Sequence, residues 1–138
     1  MIEVHQHQGN DYRPLVDCES WRVAVLRYSA SYAPPAIDRL QYHAETDEVF
    51  VLLCGRCILF AGGIGSEIGE ISSIDLEPCK IYNVKKGVWH SHALSKDSTV
   101  LIVENVDTTN ENSPFGELSS AQRHQIQKQS EQLWKDGD

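Results

Sequence analysis

From residue 20 to 106 the apolar residues come in short runs rich in β-branched and aromatic side chains, separated by turn formers. That spacing predicts an all-β sandwich or barrel. Residues 21–28 (WRVAVLRY), 48–54 (EVFVLLC), 57–61 (CILFA), 71–76 (ISSIDL), 81–84 (IYNV) and 99–104 (TVLIVE) read as strands, with weaker ones over 37–43 and 88–94. Pro34-Pro35 cannot continue a ladder, Gly55-Arg56 suits a tight hairpin, and Gly62-Gly63-Ile64-Gly65 suits a loop. No long helical pattern sits between strands, which argues against βαβ units and a parallel sheet.

After Val106 the pattern changes to the turn-rich DTTNENSPFGE and then to a polar, helix-tolerant stretch. A helix is predicted over 119–134, with Ser119 or Ser120 as N-cap and Gln122, Ile126, Gln129 and Leu133 on one face. So thin an apolar stripe is expected to pack on the β domain or on a neighbouring subunit. The chain divides into a β domain over 1–116 and a helical tail over 117–138.

Its 138 residues make one domain, and 41% hydrophobic residues suffice for one packed core. A net charge of −8, with no basic run longer than Lys85-Lys86, argues against nucleic acid or an anionic membrane as partner. No apolar stretch approaches the roughly 20 residues that span a bilayer, and the first residues carry neither a basic start nor an apolar signal core. A cytoplasmic location is expected, with the four cysteines as reduced thiols.

Alternation then sorts candidate chemistry by face. Ile37, Arg39, Gln41, His43 and Glu45 share one side of an extended segment; Glu48, Phe50 and Leu52 share another; Val88, His90, His92 and Leu94 share a third. If these inner faces coincide, His43, Glu48 and His90 converge with Gln41 or His92 inside an apolar barrel. Burial there is costly unless a metal or hydrogen bonds compensate. Two imidazoles and a carboxylate suit a divalent iron, manganese, nickel or zinc ion.

These residues resemble the two motifs of the cupin superfamily, in its small single-domain form. In QYHAETDEVFVLLCG, Gln41 stands where the first motif has its first histidine; His43, four residues, Glu48, six residues and Gly55 follow the pattern. In LEPCKIYNVKKGVWHSHAL, Gly87, two residues and His90 match the second motif, while Cys79, Lys85 and Leu94 replace its usual Gly, Pro and Asn. The resemblance spans about residues 20–105. It implies a six- to eight-stranded antiparallel jelly-roll barrel with a divalent metal held by His43, Glu48 and His90, and with Gln41 in the place of a third histidine. His92 either replaces that histidine or acts as a general acid–base. Arg39, Arg27 and Phe50 are candidate pocket residues, the two arginines as cations for a carboxylate or phosphate on a substrate.

The implied activity is a metal-dependent isomerase, lyase or dioxygenase acting on a small polar molecule. The alternative is a binding or sensing module without turnover, metal-free if Glu48 and His43 simply hydrogen-bond each other. A homodimer is expected from the same resemblance. Three further features read as structural. Cys54-Gly55-Arg56-Cys57 lacks the helix N-terminus of a redox dithiol, and the 62–65 glycines do not open a helix as a phosphate loop does. His5 and His7 belong to a frayed or edge segment and read as solvated. By alternation Tyr42 and Trp89 fall on the face opposite the candidate ligands.

Overall fold

The computed structural model describes residues 1–135; the last three residues of the expected tail, 136–138, lie outside the described residues. Ten strands form two five-stranded antiparallel sheets. The strands are β1 (Asp11–Cys18), β2 (Trp21–Arg27), β3 (Arg39–Gln41), β4 (Glu48–Cys54), β5 (Cys57–Ile64), β6 (Ser72–Asp75), β7 (Tyr82–Val84), β8 (Val88–Leu94), β9 (Thr99–Asn105) and β10 (Phe115–Glu117). One sheet runs β1-β2-β9-β4-β7 and the other β10-β3-β8-β5-β6. The barrel therefore has more strands than the six to eight expected. The additions are β1, which Pro14 and a bulge disguise, and the three-residue β10.

Alternation sets the core. Ala24, Leu26, Phe50, Leu52, Val100 and Ile102 point from the first sheet into the space between the sheets and meet Cys57, Leu59 and Leu94 of the second. Strand β5 buries both faces: Cys57 and Leu59 point inward, while Ile58 and Phe60 point outward beneath a helix. This explains its unbroken apolar run.

That helix, α1 (Ser120–Trp134), begins at a capping box between Ser119 and Gln122. Its predicted face lies against the barrel. Ile126 is fully buried, while the Gln122 amide donates to the carbonyls of Ile68 and Gly69 and the Gln129 amide to that of Ile71.

Three local expectations are corrected. Gly55-Arg56 closes no hairpin: β4 pairs with β7 and β9 while β5 pairs with β6 and β8, so the turn is a corner between sheets. Gly62, Gly63 and Ile64 belong to β5 and not to a loop. Gly62 is required there because a Cβ would come within 2.7 Å of the Ile68 side chain where the 68–69 segment folds back. The strand expected over 37–43 is only Arg39–Gln41, since Ile37 closes the 3-10 turn Pro34–Ala36 and joins the apolar cluster under α1.

Candidate metal centre

Three strands deliver the central residues. Glu48 opens β4 on the inner face that Phe50 and Leu52 continue. His90 and His92 lie opposite Ala61 and Leu59 of β5, on the inner face of β8. His43 follows β3, whose Gln41 is paired with His90. Nε2 of His43 lies 2.9 Å, and Nε2 of His90 3.0 Å, from Oε1 of Glu48, and all three side chains are buried.

The outer nitrogens decide what the inner ones present. Nδ1 of His90 is 2.9 Å from the Val88 carbonyl, which only accepts, so the proton sits on Nδ1. Nδ1 of His43 is 2.7 Å from Ser113 Oγ. Ser113 gives its own hydrogen to Oδ1 of Asn112, whose amide in turn donates to the Asp107 carbonyl. Ser113 therefore accepts from His43, whose proton also sits on Nδ1. With both rings neutral, two bare Nε2 lone pairs face a carboxylate oxygen. That arrangement is repulsive until one ring takes a second proton or a cation enters. Burial pushes the Glu48 carboxyl up; once the His43 and His90 rings carry a proton on Nε2, their hydrogen bonds outweigh burial and hold the group well below the usual carboxylate range. Burial lowers the His90 pKa, and the Glu48 carboxylate more than reverses this.

The donor set thus fits a divalent ion: converging buried nitrogen and oxygen ligands, each imidazole oriented by a hydrogen bond on its far side. Gln41 stands beside the cluster with its amide donating to the Ser113 carbonyl at 2.8 Å.

The cluster forms one wall of a cavity of about 880 Å3. His92 also lines it, its ring stacked on Tyr32 and near Phe50, with both nitrogens buried and without a hydrogen-bond partner. Burial lowers its pKa to about 4, so the ring is neutral at pH 7. Arg39 lines the cavity mouth, stacked on Phe115.

Two expected pocket residues lie elsewhere. Phe50 is fully buried and packs edge-on beneath His90 instead of reaching the cavity. Arg27 has the wrong parity: Leu26 points inward, so Arg27 turns away, toward the His7 carbonyl. His7, expected to be solvated, is buried and bonded to the Asp11 carbonyl. Of the paired cysteines, Cys54 is exposed and Cys57 buried in the core, where burial pushes its thiol up.

The residues that alternation should have added are Arg22 and Glu104. Arg22 shares its face with Ala24 and Leu26, lines the cavity and is held by Asp17. Glu104 continues the inward row of Val100 and Ile102, next to Glu48, and accepts a hydrogen bond from Tyr12. Burial and the Glu48 charge raise its pKa to about 7. Tyr12 and Ser113 carried no signal, lying on an unrecognised strand and in a loop.

No protein-family model and no curated protein matches the sequence. Among solved structures, the chain is similar to a variant of Streptomyces PAC13 with uridine: 6% identity, 84% of this chain and 86% of that one covered, TM-score 0.56. PAC13 itself is described as a nucleoside dehydratase. BH2720 from Bacillus halodurans matches at 12% identity over 70% of each chain, TM-score 0.53. A cupin-2 domain protein from Shewanella frigidimarina shares 19% identity over 74% of this chain and 84% of its own, TM-score 0.48. Two antiparallel sheets closed face to face, with the motif histidines and glutamate on their inner surfaces, give this chain the jelly-roll fold of the cupins.

Proposed function

We propose that the protein binds one divalent iron, manganese, nickel or zinc ion through His43, Glu48 and His90 and converts a small polar molecule in the adjoining cavity, as an isomerase, lyase or dioxygenase. The observation that carries this reading is the outward commitment of both Nδ1 protons, to Ser113 and to Val88, which turns two lone pairs onto one carboxylate oxygen. A divalent ion supplies Lewis acidity at that point. Gln41 borders the ion site through its register with His90, and Arg39 and Arg22 offer cations to a polar substrate at the mouth. Neutral His92, with both nitrogens free and on the same face of β8 as His90, acts as the proton carrier. The reading places the protein in the cytoplasm with reduced thiols; among the described residues no helix is long and apolar enough to cross a membrane.

A second reading is a metal-free binding module, and the upward push of Glu48 on the His90 pKa favours it: a proton on that ring would hold the triad without an ion. Elemental analysis by plasma mass spectrometry separates the two. Near one metal per chain in the wild type, lost in His43→Ala and His90→Ala with the barrel still folded, supports the metal site. No metal from any growth medium leaves the binding module.

A further inference from the structure

We infer that Glu104 is a fourth protein ligand of the ion, which is then held by two imidazoles and two carboxylates; the inference rests on the metal-bound reading above.

Register supplies the first observation. Strands β4 and β9 run antiparallel with Phe50 opposite Ile102 and Val49 opposite Val103. One step further along the same ladder, Glu104 stands opposite Glu48, and both side chains share the inner face with Phe50 and Ile102. Positions so opposed bring their Cβ atoms to about 5 Å, where like charges repel. Both glutamates are buried, and their carboxyl groups are in hydrogen-bonding contact. Carboxylate oxygens only accept, so two of them hold such a contact only with a proton or a cation between them. Arg22, opposite Glu104 on β2, does not compensate the pair, because its guanidinium is committed to Asp17 by two hydrogen bonds.

Charge supplies the second. A divalent ion on two neutral imidazoles and one carboxylate leaves a positive charge uncompensated in a buried site, which is costly. Gln41 adds no charge, and its amide is tied to the Ser113 carbonyl. Glu104 brings the site to neutrality. Tyr12 donates to its Oε2, and among the described residues no hydrogen-bond donor reaches Oε1. The donor atoms of His43, Glu48 and His90 lie within 4.8 Å of one another. Glu104 stands outside that trio but against Glu48, and rotation about its two-methylene side chain carries Oε1 toward the ion. A second carboxylate hardens the donor set, which raises the standing of Mn2+ and Fe2+ there relative to Zn2+ and Ni2+.

Calorimetric titration of the chelator-stripped full chain with Mn2+ alone and with Zn2+ alone tests this. Glu104→Gln keeps the size of the side chain and an acceptor for Tyr12. It should weaken Mn2+ binding by at least about 100-fold, beyond the loss that a merely supporting partner causes. Glu104→His separates ligation from charge. At a ligand position it should restore Zn2+ binding to within about 10-fold of the wild type while Mn2+ stays weak, because imidazole suits Zn2+ better. Were Glu104 only a nearby charge, Glu104→His would be as poor as Glu104→Gln for both ions, and the inference would fall. If Glu104→His does not fold, Co2+ serves as the probe. The visible spectra of Co2+-loaded wild type and Glu104→Gln should differ in band position and intensity, and identical spectra overturn the inference. A wild-type chain that takes up neither Mn2+ nor Zn2+ sinks the metal-bound reading and this inference with it. Binding that is present in the wild type and unchanged in Glu104→Gln overturns the fourth ligand alone.

Discussion

Ser113 holds His43 from behind: its hydroxyl accepts the Nδ1 proton at 2.7 Å while donating its own hydrogen to Asn112, so Nε2 is aimed at Glu48. A loop residue 70 positions from the histidine thus sets the ring's tautomer and direction. Replacing the hydroxyl with a methyl hydrogen frees the ring without touching a ligand atom. Ser113→Ala should therefore weaken metal binding by about 10–100-fold, as loss of such supporting partners does. Competition against a chelator measures it. Unchanged affinity in a folded variant would remove Ser113 from the site.

His92 gives a pH signature of definite sign. Its folded-state pKa is depressed to about 4 by burial, against an ordinary value of 6.5. The unfolded chain takes up the proton first, so this contribution is complete above pH 6.5 and is lost as pH falls toward 4. The loss is about 2 kcal/mol by pH 4.5. His92→Phe, which can fill the space beside Tyr32 and Phe50, abolishes that part of the slope. Urea unfolding of both proteins at pH 7 and pH 4.5 tests this: the stability difference between them should shift with pH, and a constant difference would refute the assignment.

Glu104 has the opposite sign. Burial, followed by the Glu48 charge, raises its pKa from 4.5 to about 7, so folding favours the protonated acid. Its contribution is complete below pH 4.5 and is lost as pH rises through 7. Glu104→Gln stays neutral and keeps an acceptor for the Tyr12 hydroxyl. In metal-stripped protein it should gain about 1–2 kcal/mol over the wild type at pH 8 and almost nothing at pH 4.5, a figure reduced for partial solvent screening. Thermal melts at the two pH values decide it, and an equal gain at both would show that the carboxylate is not the cause.

What the sequence made legible follows from how local each signal is. Period-two alternation needs only one strand, so the inner rows through Glu48 and Phe50, and through His90 and His92, could be read directly, as could Trp89 and Tyr42 on the other side. The same rule carried consistently would have put Arg22 with Ala24 and Leu26 and turned Arg27 away. Strand β1 escaped because DYRPLVDC contains a proline, sits at a sheet edge and buries little. The Ser113 contact could not be seen, since a loop closing over a site leaves no periodicity. Which sheet a strand joins is also non-local: a short turn between two apolar runs looks alike whether the strands pair with each other or part company.

Gly55 marks that parting. Its φ is +75°, and a Cβ there would stand 2.5 Å from Cα of Ser98, in the turn that precedes β9. The corner thus passes hard against the backbone of a neighbouring connection, and no flexible side chain is available to yield. Gly55→Ala combines a left-handed conformation with a backbone clash, so it should destabilise the fold by about 2–4 kcal/mol. Arg56→Ala, at the next position, loses a partly buried ion pair with Asp75 and a hydrogen bond to the Leu133 carbonyl, and should cost about 1 kcal/mol. Urea denaturation of the pair separates backbone from side chain at this corner. Equal, small losses would mean that the sheet-to-sheet turn tolerates a Cβ and that the close approach to Ser98 does not constrain how β4 delivers Glu48.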